Sequence, residues 1–249
     1  MGRGRPTIIT RTMLMNITTT EARPQQASGV ELLRLLQLSS SLCPIGAFAF
    51  SQGLEQAVER GWVLDEAALS EWLLGLGRHA IAVLDLPLLL RAHRAWQEND
   101  LERALHVAER LLANREAREL WEQERDLGRA LCSVLENLGV GRAAALRQSP
   151  HPSYVVAYAL GAAHFGISAE LCALGYAFAW SEQQANAAAR LVPLGHMAVQ
   201  RVLSHVLADV PEWVQLALQA RDEEIGGLAP GLAMAAAWHE TQYTRLFRS

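Results

Sequence analysis

Apolar residues recur at three- and four-residue intervals along most of the 249-residue chain, and short polar breaks separate the runs. Ser28-Gly29-Val30-Glu31 has the form of a capping box, so a helix is expected to start at Gly29. Leu32, Leu33, Leu35, Leu36 and Leu38 leave Arg34 and Gln37 as its clearly polar positions, which predicts a helix surrounded on most sides and ending before Pro44. Residues 42–55 then form a shaped turn: Pro44 lacks a backbone donor and Gly46 admits angles closed to other residues. Phe48 and Phe50 sit two apart, a spacing that sends one toward the core and the other elsewhere. Ser51 is expected to cap the following helix, with Leu54 pointing inward, Gln52 and Glu55 facing out, and Gly61 as the stop.

Asp65 caps a helix expected to continue to about Leu84, and Pro87 marks a separate one beginning after Asp85 and reaching about Asn99. Asp100 opens a short helix to Ala113, and Asn114 opens a longer one. The mixed charges Arg115, Glu116, Arg118, Glu119, Glu122, Arg125, Asp126 and Arg129 read as a solvated face. Residues 139–152, with two glycines, two prolines and His151, read as a connection. Residues 154–180 are the most apolar, but the Gly166 break leaves halves too short for a membrane span, so two buried helices packed through Gly161, Ala162, Ala163 and Gly175 are expected, with Ser168 as a cap.

The second of these helices turns polar before it stops at Pro193. Glu182, Asn186, Ala189 and Arg190 fall on adjacent turns of one side, either as a local hydrogen-bonding ladder or as a partner surface. Residues 195–210 and 210–225 predict two more helices, a break follows at Gly226 to Gly231, and residues 233–238 return to helix. The ending, His239-Glu240-Thr241-Gln242-Tyr243-Thr244-Arg245-Leu246-Phe247-Arg248-Ser249, is too aromatic and Arg-rich for an ordinary fraying terminus; it docks either on its own domain or on a partner. The pattern as a whole predicts an all-α, single-domain bundle of roughly ten helices with a docking C-terminal tail.

Composition adds exclusions. A net charge of -4 and a pI near 6.1 offer no general attraction for nucleic acid or anionic membrane. Cys43, Cys132 and Cys172 are widely spaced without a CxxC, which suits reduced thiols in the cytoplasm, and residues 1–27 lack the apolar core of a secretory signal. No phosphate-binding loop, dinucleotide fingerprint, nucleophile elbow or HExxH pair is present. His79, His93, His106, His164, His196, His205 and His239 are separated without ligand-like pairing, so no catalytic residue, cofactor or metal site is expected.

Three stretches carry a family resemblance. Pro44-Ile45-Gly46-Ala47-Phe48-Ala49-Phe50-Ser51-Gln52-Gly53-Leu54-Glu55 resembles the signature loop of the urease accessory protein UreF family, and Trp180-Ser-Glu-Gln-Gln through Arg190-Leu-Val-Pro-Leu-Gly195 and the closing tail are similar to its other landmarks. Ala47 stands where a glycine is common, Phe50 where a tyrosine is frequent, and Gln183 and His196 differ from the usual Asn and Gln. The resemblance implies a homodimeric, non-enzymatic chaperone for nickel insertion that binds UreD (also called UreH) and recruits the GTPase UreG to apo-urease. It divides the chain into a flexible tail (residues 1–27), a helical domain (28–232) and a C-terminal helix with a partner-docking tail (233–249). By resemblance Tyr243, Arg245, Leu246, Phe247 and Arg248 face UreD, while Pro44, Gly46, Phe48, Phe50, Ser51, Gln52, Gly53, Glu55, Glu182, Asn186 and Arg190 form the UreG side or shape the complex. Two mechanisms stay open: a scaffold and gate for UreG, or a GTPase-activating protein that inserts an arginine such as Arg190 or Arg245.

Overall fold

The computed structural model describes residues 1–2 and 29–249, so the expected N-terminal tail and the Ser28 cap lie outside the described residues. Among those described the chain is helical without strands. Helix α1 (Gly29–Ser39) leads into the loop, which holds a short 3-10 turn at Ala47–Ala49, and then into α2 (Leu54–Glu59). Next come α3 (Glu66–Leu76), a π-helical stretch (Gly77–Asp85) and α4 (Leu86–Gln97), followed by α5 (Leu101–Ala113) and α6 (Arg118–Asn137). The second half contains α7 (Ala143–Gln148), α8 (Tyr154–His164), α9 (Ala169–Leu191), α10 (His196–Gln219), a 3-10 turn (Asp222–Glu224) and α11 (Pro230–His239).

Helix α8 is the axis of the bundle. Its residues Val155 to Ala162 are all buried, between α4 on one side and α6 on the other. The indole of Trp96 donates to the Val156 carbonyl at 3.0 Å. Helix α9 lies between α10 and α1, and α10 also packs on α3 and the π-helical stretch. Small residues set these approaches: a Cβ on Gly175 would stand 2.4 Å from Leu35, and one on Gly77 would stand 2.1 Å from the Trp213 ring.

Several expectations are corrected. Pro87 does not start a separate helix; residues 66–97 are one rod that widens into π-helix before it. The proline supplies no amide for the Val83 carbonyl, and Gly226 donates to it instead at 3.0 Å. This rod is long and apolar enough to cross a membrane by composition, but two thirds (67%) of the apolar window is buried inside the domain, as expected of a core helix. Residues 196–219 likewise form one helix through Pro211, because Val210, Trp213 and Val214 are buried together across it. Asn114 does not cap α6, which begins at Arg118; its amide donates to the Arg110 carbonyl. The 139–152 connection contains α7, with Val140, Ala143 and Leu146 buried.

Helix α1 is not surrounded: Leu35 and Leu38 are buried, whereas Val30, Leu32, Leu33 and Leu36 are exposed. The charged face of α6 is not wholly solvated either. Arg115, just before it, bridges Asp85 at 2.9 Å and Glu124 at 2.8 Å, all three largely buried. Burial pushes the Asp85 carboxyl up against the pull of Arg115. Burial also works against the Arg115 charge, but Asp85 and Glu124 outweigh it and hold the guanidinium protonated.

Candidate functional site

The loop, the polar half of α9 and the C-terminal tail, far apart in sequence, converge on one face. The loop is shaped by Gly46 and Gly53, both at φ 76, and by Gln52 at φ 52, a left-handed conformation unusual for a residue with a side chain. Its position is held by α9. Gln52 Oε1 accepts from Trp180 Nε1 at 2.7 Å and from Gln184 Nε2 at 2.9 Å, and Gln183 Nε2 donates to the Ala47 carbonyl at 3.1 Å. Arg190 Nη1 donates to the Phe48 carbonyl at 3.4 Å. The Phe48 ring itself is 73% exposed, while Phe50 is buried, which bears out the split read from their spacing.

The tail closes over the same loop. Ser51 N donates to the Ser249 carbonyl at 2.7 Å and Arg248 N to the Ala49 carbonyl at 2.8 Å, so the last residues run beside the loop backbone. The Ser51 hydroxyl donates to the Ser249 carbonyl and also accepts from Glu55 N, an early-turn contact in place of a formal cap, because α2 starts after Gly53. Arginines clamp the seam: Arg190 stacks over Phe247 and Arg248 over Phe50, with ring distances of 4.6 and 4.9 Å. Phe247 and Ser249 are buried, while Tyr243 and Leu246 stay exposed.

Beneath the tail lies a buried charge cluster. Glu55, expected to face solvent, is only 7% exposed; its carboxylate accepts from Leu246 N at 2.6 Å and Phe247 N at 2.9 Å, and meets His239 Nε2 at 3.1 Å. His239 Nδ1 lies 2.6 Å from Glu119, which also receives Arg245 Nη1 at 2.8 Å. Both ring nitrogens of His239 therefore face carboxylates. Arg245 is further fixed on the carbonyls of Gln242 and Glu240.

Sequence reasoning missed Glu119, Gln123 and His239 as parts of this site. Gln123 accepts from the Ser249 hydroxyl at 2.7 Å. The signal was present as Glu119 and Gln123 one helical turn apart on α6, but their partners stand more than a hundred residues away. Glu182, Asn186 and Arg190 share a face as expected, yet no hydrogen bond joins them among the described residues, so the local ladder does not form. They line a cleft of about 90 Å³ with Ile45, Phe48 and Tyr154. No cluster of three metal-ligating side chains occurs among the described residues.

A UreF family model matches residues 63–207. The urease accessory protein UreF of Chromohalobacter salexigens is 45% identical over 225 residues, covering 90% of this chain and 97% of the relative. The chain belongs to the UreF family. The UreF of Alkalilimnicola ehrlichii is 43% identical over 230 residues (92% of this chain, 99% of the relative), and that of Marinomonas sp. is 37% identical over 238 (96% and 99%). Membership makes it a urease accessory protein with a role in urease maturation.

Proposed function

We propose that this chain is a non-catalytic scaffold and gate in nickel insertion, working in the cytoplasm as a homodimer that binds UreD (UreH), recruits the GTPase UreG and reaches apo-urease through that complex. The observation that carries this reading is the clasp of Glu55 on the amides of Leu246 and Phe247, which makes the signature loop and the tail a single surface. On that surface Tyr243 and Leu246 face outward, with Arg245 and Arg248 beside them, the composition of an interface rather than of a terminus. We assign this end to UreD. The Phe48 tip and the Glu182–Asn186–Arg190 side of α9 are assigned to UreG. The exposed Val30, Leu32, Leu33 and Leu36 of α1 offer an apolar face for self-association.

A GTPase-activating role for Arg245 is disfavoured, because its guanidinium is committed to Glu119 and two carbonyls. Arg190 is the more accessible arginine, though it too is engaged by Phe48 and Phe247. The test is co-expression of the tagged chain with UreD and UreG from the same source, followed by light scattering. Two copies of each in one complex supports the scaffold; failure of soluble, folded UreD to associate refutes it. A single-turnover assay separates the alternatives, since an arginine finger's loss cuts UreG turnover sharply with assembly intact, whereas a gate variant alters urease activation alone.

A further inference from the structure

The cleft between the loop and α9 has a selective shape. Its volume of about 90 Å³ is far below the several hundred Å³ of small-molecule sites, and suits one side chain. Ile45, Phe48 and Tyr154 give it aromatic and aliphatic wall, and Ser40, Ser41 and Gln183 add polar groups. Glu182 lines it without an ion pair or hydrogen bond among the described residues, and burial pushes its carboxyl up. Arg190 lines the same cleft two helical turns, or about 12 Å, further along α9, where the Phe48 carbonyl and the Phe247 ring already engage its guanidinium. An acid partly withdrawn from water beside apolar wall, with the cleft's own guanidinium already engaged, is the complement of a long cationic side chain.

We propose that this cleft seats a single lysine or arginine side chain of the protein that docks on this face, with its methylenes along Ile45, Phe48 and Tyr154 and its charge on Glu182. The inference rests on the proposed function for the identity of that protein, UreG. Asn186, exposed one turn beyond Glu182, supplies a second acceptor for the incoming donors.

The test is a titration of UreG onto the complex of this chain with UreD, comparing wild type with Glu182→Gln at two salt concentrations. The variant should bind UreG about ten- to a hundredfold more weakly and with a flatter salt dependence, while UreD capture is unchanged. Its melting midpoint should be equal or higher, because no intramolecular partner is lost. UreG affinity within twofold of wild type would overturn the inference, and so would a parallel loss of UreD, which would make the carboxylate structural. If the wild-type complex takes up no UreG, the proposed function falls, and the cleft is then decided by N-acetyl-arginine amide alone. That probe should shift the amide resonances of Glu182 and Asn186 in wild type and not in Glu182→Gln; no shift in wild type overturns the inference.

Discussion

Glu55 and His239 stand 184 residues apart in the chain and 3.1 Å apart in the fold. The same carboxylate receives the amides of Leu246 and Phe247, so one side chain at the start of α2 fixes the end of α11 and the tail beyond it. Replacing it by alanine strands a buried imidazole and two amides. Glu55→Ala should cost about 3–5 kcal/mol of stability, with Glu55→Gln costing less because the amide oxygen still accepts. Urea unfolding measures both; a loss under about 1 kcal/mol for the alanine variant would show that the clasp is not holding the tail.

Gly53 faces two constraints at once. Its φ of 76 is strained for any residue with a side chain, and an added Cβ would lie 3.1 Å from Ala235 Cβ on α11. Gly53→Ala should lower the melting midpoint by roughly 3–10 °C, with α2 and α11 pushed apart. An unchanged midpoint in differential scanning calorimetry would contradict this packing.

His93 is buried on α4, with Nε2 at 2.8 Å from the Ile167 carbonyl, and burial holds its imidazole below the ordinary value despite that contact. The folded chain therefore binds this proton less readily than the unfolded one. The stability that follows is present above the unfolded value of about 6.5 and is lost as pH falls toward the folded one. The stability of His93→Gln relative to wild type should rise between about pH 7.5 and about pH 5.5. A difference that stays flat across this range would refute the shift.

The thiols should react in order of access. Burial pushes Cys132 up to about 12 and Cys172 higher still, and it raises Cys43 too, although that thiol is only half-buried. With Ellman's reagent near pH 8, Cys43 should label slowly and faster as pH rises, whereas Cys132 and Cys172 should label only after unfolding. Rapid labelling of more than one thiol in the native state would count against the packing of α6 and α9.

Tyr243, Leu246 and Phe48 are exposed and contribute little to the fold. Tyr243→Ala with Leu246→Ala should leave the urea midpoint nearly unchanged and weaken UreD capture; Phe48→Ala should spare UreD and weaken UreG. These variants are sharper than removing residues 240–249, a deletion that would strip Glu55 of two amide donors and Glu119 of Arg245 and so disturb the domain itself. Undiminished pull-down of both partners would remove the assignment of this face.

Much of the architecture was written locally. Asp65, Asp100 and Ser168 cap their helices through their own side chains, on the third residue after each, as their spacing predicts. Helix boundaries went astray where a proline sat in a run that burial kept helical, at Pro87 and Pro211. The outward reading of Glu55 failed for a related reason: a carboxylate one position past Leu54 looks solvent-bound until the amides and imidazole that receive it are brought in from the other end of the chain.

The sequence by itself determined that the chain is all-helical, which residues start most helices, and which three stretches carry the family resemblance, because capping and apolar periodicity act within a few residues and the landmarks are contiguous. Only the tertiary structure decided that those stretches form one face, that α1 leaves an apolar stripe exposed, and that Glu55, Glu119, His239 and Arg245 meet beneath the tail. Pairing between groups more than a hundred residues apart leaves no local periodicity; it exists only once packing of α2, α6 and α11 has removed water from between them.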